Sequence, residues 1–181
     1  TWDEHGAVFA EAARALERIH LAKGNHEKLA RDYRLQIKTE FDAERRGELL
    51  VRLAVLLEEE LEDVEGAIAA HRERLDIDPT SRDALRSLER LYERQEEWQR
   101  LIGILQALDG AVDEEEERRI IGRRIGEIYE EKQDDVENAI GAYNDVLSRF
   151  GPDDRTLEAL ARLYRKGERP DDLLEGLEMQ L

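Results

Sequence analysis

Apolar residues recur along the chain at three- and four-residue spacing, with polar and charged residues between them. This spacing is typical of amphipathic helices that turn one apolar stripe towards a core. Strand-like alternation is not found in the sequence. The pattern therefore predicts an all-α chain with helices near 4–22, 26–40, 44–60, 64–76, 81–94, 97–108, 114–132, 136–150, 154–166 and 170–180.

Short connections separate the predicted helices. The segment 78–81, Asp-Pro-Thr-Ser, combines a proline stop with a hydroxyl cap, and 151–154, Gly-Pro-Asp-Asp, repeats this arrangement. Segments 23–25 and 108–110 each contain Gly and are interpreted as similar stops. Helices joined by so few residues must lie antiparallel. We therefore expect five hairpins, over residues 4–40, 44–76, 81–108, 114–150 and 154–180.

A 72-residue repeat runs through the chain. Segment 63–70, Asp-Val-Glu-Gly-Ala-Ile-Ala-Ala, returns at 135–142 as Asp-Val-Glu-Asn-Ala-Ile-Gly-Ala, and 135 − 63 = 72. The same offset places Leu85 on Leu157 and Tyr92 on Tyr164. Because the matched positions are mainly apolar or aromatic, neighbouring hairpins must stack to bury them. We therefore predict one repeat array over residues 1–181, either whole or as a piece of a longer array.

The hairpins resemble tetratricopeptide repeats (TPRs), whose first helix carries Leu-Gly followed by Tyr and whose second carries Ala four residues before an aromatic. Ile125-Gly126 and Tyr129, followed by Ala139 and Tyr143, keep this spacing. The resemblance implies a right-handed α-α superhelix of about five hairpins. It also implies a non-enzymatic scaffold whose inner groove binds a peptide or a partner domain.

Composition and charge narrow the class of partner. The chain has 45 acidic and 28 basic residues, for a formal net charge of −17. This charge repels phosphate backbones, so we expect no nucleic acid partner. The sequence lacks the run of about 18 apolar residues that a membrane helix needs, so no membrane partner is expected either. The absence of Cys rules out disulfides and Cys-based zinc sites and favours a reducing compartment, so we expect the cytoplasm.

The motifs of catalytic and metal sites are not found in the sequence. Three of the four histidines fall on aromatic slots of the repeat: His20 on that of Tyr92, His26 on that of Trp98, and His71 on that of Tyr143. Packing explains such residues better than metal binding. A zinc-protease motif starting at His26 fails because Ala30 occupies the position of its second His. The acidic run 113–117 is typical of a helix N-terminus. We therefore expect no catalytic residue, no cofactor and no metal.

Arginines recur where the TPR resemblance places the lining of the inner groove, on the first helix of each hairpin. These candidate binding residues are Arg14, Arg18, Arg86, Arg90, Arg94, Arg123 and Arg162. Arg can donate two parallel hydrogen bonds to a carboxylate. We therefore expect the groove to bind an acidic segment or a C-terminal carboxylate.

An alternative interpretation assigns these arginines to ion pairs between hairpins. Glu58-Glu59 and Glu130-Glu131 end the first helices of the second and fourth hairpins, within reach of arginines on neighbouring first helices. The chain would then be a structural spacer in a larger helical-repeat protein. A separate expectation concerns the last hairpin, whose apolar edge predicts self-association or cover by residues outside this sequence. That edge carries Leu173, Leu174, Leu177 and Leu181.

Overall fold

The computed structural model describes residues 12, 13 and 15–166, and within this part of the chain all regular structure is helical. Residues 12, 13 and 15–22 form the described part of α1. Eight helices follow: α2 His26–Thr39, α3 Ala43–Glu59, α4 Val64–Ile77, α5 Arg82–Arg94, α6 Trp98–Ala111, α7 Glu115–Lys132, α8 Val136–Phe150 and α9 Asp154–Lys166. The predicted all-α class is confirmed. The helix predicted over 170–180, with its apolar edge, lies outside the described residues.

Aspartates start equivalent helices in the two copies of the repeat. Asp63 accepts a hydrogen bond from the Gly66 N–H (2.9 Å), and Asp135 accepts one from the Asn138 N–H (3.1 Å). The Asn138 side chain also donates to Asp135 (2.7 Å), and these bonds lower the pKa of the Asp135 carboxyl. Each carboxylate satisfies a backbone donor that the first helical turn leaves unpaired. The repeated sequence therefore fixes where α4 and α8 begin.

The prediction that the segment 108–110 ends a helix is wrong. Helix α6 continues through Gly110 to Ala111. Leu108 and Val112 are both buried, so the added helical turn connects two residues that pack in the core. Asp109 is held in this turn by Arg149, whose Nη2 lies 2.8 Å from Asp109 Oδ2. A glycine in a helix interior costs only about 1 kcal/mol, which such contacts offset.

The chain divides into two compact units, Thr1–Leu91 and Tyr92–Leu181. In the first unit, α3 packs against both α2 and α4. In the second unit, α7 packs against both α6 and α8, and α8 also packs against α9. Each unit thus contains a first helix of a hairpin, α3 or α7, packed against two second helices. A single continuous array over residues 1–181 stays a prediction.

Most of the first-helix residues that the repeat pattern predicts to be buried are buried. These are Leu53, Leu57, Leu88, Tyr92, Leu160 and Tyr164. Ile125 and Tyr129 are only half-buried. Both line an open cleft to which α8 contributes Gly141 and Ala142. These residues are too small to cover the two larger side chains.

Candidate functional site

Two ion pairs, 72 residues apart, connect first helices of the repeat. Arg90 on α5 donates hydrogen bonds from both Nη atoms to the Glu58 carboxylate on α3. Arg162 on α9 donates from Nε and Nη2 to the Glu130 carboxylate on α7, with both distances at 2.8 Å. The positions correspond, since 58 + 72 = 130 and 90 + 72 = 162. Paired hydrogen bonds of this kind are the strongest arrangement that Arg forms with a carboxylate.

Exposure is distributed unevenly within each pair. The side chains of Glu58 and Glu130 are each 12% exposed, whereas Arg90 is 57% and Arg162 is 58% exposed. Hydrogen bonds from the guanidinium groups to these carboxylates raise the pKa of both arginines. Each arginine is therefore held in one orientation by a covered carboxylate, while more than half of its own surface faces water.

The second-helix residue that lies near each of these carboxylates differs between the two copies of the repeat. In the second unit, the Tyr143 hydroxyl donates a hydrogen bond to Glu130 (3.3 Å). The equivalent residue of the first unit is His71, which is buried. Burial lowers the pKa of His71, and the charge of Arg90 lowers it further, while that of Glu58 acts in the opposite direction. The buried Nδ1 of His71 has no hydrogen-bond partner among the described residues.

The other candidate arginines differ in how exposed they are and in whether they form an ion pair. In the first unit, Arg86 pairs with Glu89 on its own helix at 2.8 Å, and Arg18 is exposed without an ion pair to any described residue. In the second unit, Arg94 is exposed, whereas the Arg123 side chain is only 12% exposed. Arg14 lies outside the described residues. A single groove lined by these arginines stays a prediction.

Arg123 has a partner that sequence reasoning missed. Its Nη1 donates to Asp153 Oδ1 (3.2 Å), and Arg119 lies 3.8 Å from the other oxygen of the same carboxylate. Asp153 also caps α9 by accepting the Thr156 N–H (3.1 Å). Burial acts to raise the pKa of the Asp153 carboxyl, but hydrogen bonds from Thr156 and the positive charges of Arg123 and Arg119 lower it overall. The Gly-Pro-Asp turn was the available signal, but it indicated only a helix boundary.

The two histidines near the start of the described chain each lie beside one carboxylate. His20 Nδ1 is 2.9 Å from Asp32 Oδ2, and His26 Nδ1 is 3.1 Å from Glu60 Oε2. Among the described residues, no three His, Asp or Glu side chains are grouped so that they could hold a metal ion. In the same part of the chain, no helix combines the length and the apolar character that crossing a bilayer requires.

Comparison with known proteins connects this geometry to a family. The family model described as tetratricopeptide repeat matches residues 84–119, a span from α5 into α7. A crystal structure of the MamA protein is 18% identical, with 93% of this chain and 87% of that chain covered and a TM-score of 0.50. A MamA RS-1 double mutant is 16% identical, with 93% and 90% covered and a TM-score of 0.51. No curated protein matches.

The chain has a TPR-like helical-repeat fold. Similarity at these identities concerns the fold, and the fold leaves the partner open. In TPR terms, α3, α5, α7 and α9 are first helices, and α2, α4, α6 and α8 are second helices. The Arg90–Glu58 pair therefore connects the first helices of successive repeats, as the Arg162–Glu130 pair does in the second unit.

Proposed function

We propose that this TPR-type chain is a non-enzymatic scaffold that binds a protein partner through the arginines of its first helices. The expected ligand is an acidic segment or a C-terminal carboxylate, and a cytoplasmic location is part of the proposal. The observation that carries it is the orientation of Arg90 and Arg162, each fixed by a carboxylate yet more than half exposed. A preordered side chain loses less conformational entropy when it binds a ligand.

The hydrogen-bonding pattern leaves donors for a ligand. Arg162 uses Nε and Nη2 for Glu130, so its Nη1 remains available for a further acceptor. Arg90 uses both Nη atoms for Glu58, which leaves Nε. Each ion pair is neutral as a whole and attracts an acidic peptide weakly from a distance. Arg18 is the better candidate for long-range attraction, because no ion pair to a described residue offsets its charge.

A structural spacer is the second candidate function. The same two ion pairs favour it, because each connects two first helices and contributes to the stability of the array. In that case, removing Arg90 lowers stability and leaves partner binding unchanged. The two functions therefore predict different results for one substitution.

A peptide-display selection on the purified chain tests both candidates. We expect enrichment of Asp- and Glu-rich sequences or of free acidic C-termini. Fluorescence anisotropy then gives the affinity of one enriched peptide for wild type, Arg18→Ala, Arg90→Ala and the control Arg72→Ala. Arg72 is also exposed but lies on the second helix α4.

We expect the two first-helix variants to bind at least about fivefold more weakly, and the loss to diminish with added salt. Arg72→Ala should bind like wild type. Equal losses in all three variants would contradict a localised arginine site. A lower melting temperature of Arg90→Ala with unchanged affinity would assign the ion pair to the spacer function.

A further inference from the structure

Each unit contains a cleft over its middle helix. The first lies between α2 and α4 over α3 and has a volume of about 630 Å³. The second lies between α6 and α8 over α7 and has a volume of about 310 Å³. The floors of the two clefts correspond at the offset of 72: Leu50 to Gly122, Leu53 to Ile125, and Leu57 to Tyr129. The two clefts are therefore the same feature of the repeat.

An ion pair between α6 and α8 crosses the second cleft, and its two positions hold apolar residues in the first unit. Arg149 on α8 donates two hydrogen bonds to Asp109 on α6, at 3.0 and 2.8 Å. The equivalent positions of the first unit are Ile37 and Ile77, since 109 − 72 = 37 and 149 − 72 = 77. Isoleucine cannot form such a bridge. The first cleft is thus the larger and the more apolar at this position.

Basic side chains line the α2 side of the first cleft. Arg34 and Lys38, four residues apart, are both exposed. Arg34 lies 3.9 Å from Asp63, a separation at which an exposed ion pair contributes little. Lys38 forms no ion pair with a described residue. The α2 side of the rim therefore carries two positive charges beside Glu40, while Arg46 and Glu73 elsewhere in the lining pair with each other.

Phe41 stands fully exposed at the edge of this cleft. Its neighbours Glu40 and Asp42 are acidic, and both are fixed by hydrogen bonds. The Glu40 N–H donates to the Gln36 carbonyl (2.8 Å), and the Asp42 N–H donates to Glu40 Oε1 (2.9 Å). Asp42 in turn caps α3 by accepting the Arg45 N–H (2.9 Å). The turn therefore presents a bare aromatic ring in a defined place, which is unusual on a surface that stays in water.

We propose that two copies of this chain associate through this face, each inserting Phe41 into the cleft of the other. The surfaces are complementary, because an aromatic ring flanked by two carboxylates meets an apolar floor beside Arg34 and Lys38. Phe41 also lies next to its own cleft. A two-fold axis beside it therefore fills both clefts at once and gives a closed dimer. The proposal does not depend on the peptide-binding function proposed above.

The expected interaction is weak and reversible. Two aromatic rings and their charged neighbours bury less surface than the roughly 1,200–2,000 Å² of a stable interface. We therefore expect a dissociation constant on the order of 10–100 µM. Sedimentation of the full chain between about 1 and 500 µM covers this range. The weight-average mass should rise from monomer towards dimer.

Phe41→Ala should weaken dimerisation at least about tenfold. The matched control is Leu35→Ala, another exposed apolar residue on the adjacent helix α2 that does not line the cleft. It should leave the dimer unchanged. Circular dichroism and melting temperature verify that both variants fold. A dimer that survives Phe41→Ala, or that Leu35→Ala disrupts equally, overturns the proposal.

The cleft itself is tested by Ala69→Glu, which fills the space and repels the incoming carboxylates. Ala69 is an exposed helical position, so the fold should tolerate the change. Gly141→Glu is the repeat-equivalent control in the second cleft, since 69 + 72 = 141, and nothing lies within 4 Å of a side-chain carbon placed there. Only Ala69→Glu should weaken the dimer. If Gly141→Glu alone weakens it, the interface lies elsewhere and the proposal is wrong.

Mixing two variants distinguishes reciprocal insertion from general damage. Phe41→Ala keeps an open cleft, and Ala69→Glu keeps the ring. Neither variant alone retains an intact contact, whereas a mixed pair retains one. Fluorescence-detected sedimentation should therefore show association in the mixture that exceeds either variant alone. Absence of this mixed association, or a wild type that stays monomeric but binds a synthetic peptide of residues 36–45, would overturn the second-copy proposal.

Discussion

A side-chain carbon placed on Gly126 of α7 would lie 2.6 Å from Cε1 of Tyr143 on α8, closer than carbon atoms pack without displacement. Tyr143 is 1% exposed, so its ring has no open space to occupy instead. The equivalent positions of the first unit hold Ala54 and His71. The copy with the larger ring, Tyr143, thus has the smaller residue, Gly126, opposite it. The copy with the smaller ring, His71, has the larger residue, Ala54.

We predict that Gly126→Ala destabilises the chain by about 1–3 kcal/mol, because the added methyl group forces the Tyr143 ring to move. This loss exceeds the gain of up to about 1 kcal/mol that Ala gives a helix over Gly. Denaturation with urea measures it. Gly103→Ala and Gly141→Ala are controls, since nothing lies within 4 Å of a side-chain carbon at either position. If Gly126→Ala stabilises the chain as the controls do, the close contact is wrong.

Two tyrosines should differ in their contribution to stability. Tyr143→Ala removes a fully buried ring and should cost about 3–4 kcal/mol. Tyr129→Ala should cost less, about 1–2 kcal/mol, because Tyr129 is half-buried beside an open cleft. The free energies of unfolding of both variants test this ranking. Equal losses would show that Tyr129 is as well packed as the repeat pattern alone predicts.

The helix positions could be predicted because apolar periodicity determines which face of a helix turns inward. What covers that face depends on residues far away in the sequence. The TPR pattern predicts Ile125 and Tyr129 to be core residues, but Gly141 and Ala142 on α8 leave them half-covered. For the same reason, the helix end predicted at Gly110 is wrong, although Gly is typical of the end of a helix. There, the position of Val112 keeps the chain helical.

The arginines show a similar division. Their positions on first helices follow from the repeat, but their partners depend on how neighbouring hairpins pack. Glu58 and Glu130 could be named as acceptors in advance, because they end neighbouring first helices. Asp153 could not, because its approach to Arg123 depends on the turn before α9. The sequence thus indicated candidate residues, and only the packed structure distinguishes a covered Arg123 from an exposed Arg90.

A double-mutant cycle should detect coupling between Arg90 and Glu58. We predict a coupling of about 0.5–1.5 kcal/mol from the stabilities of Arg90→Ala, Glu58→Gln and the double variant. The two hydrogen bonds between Arg90 and Glu58 raise this coupling energy, whereas the exposure of Arg90 and added salt lower it. The cycle at Arg162 and Glu130 should give a similar value. Independent effects of the two substitutions would mean that the ion pair contributes nothing to the fold.

His71 should make the stability depend on pH. Burial holds its pKa in the folded chain below the ordinary value of 6.5. As the pH falls through 6.5, the unfolded chain therefore takes up a proton that the folded chain does not. Stability then decreases as the pH falls, with a slope of at most about 1.4 kcal/mol per pH unit for one proton. Above about pH 7.5 this contribution should be fully present and constant.

Replacing His71 by the residue of the equivalent position isolates this effect. The double variant Ala54→Gly with His71→Tyr reproduces the Gly126 and Tyr143 pair, so the larger ring has room. It retains every other histidine but lacks this titrating group. We therefore expect urea denaturation at pH 7 and pH 5 to show a smaller loss of stability on acidification than in wild type. The carboxyls whose pKa is lowered, such as those of Asp135 and Asp153, change stability mainly below about pH 5. Equal losses in the two proteins would mean that groups other than His71 control stability between pH 7 and pH 5.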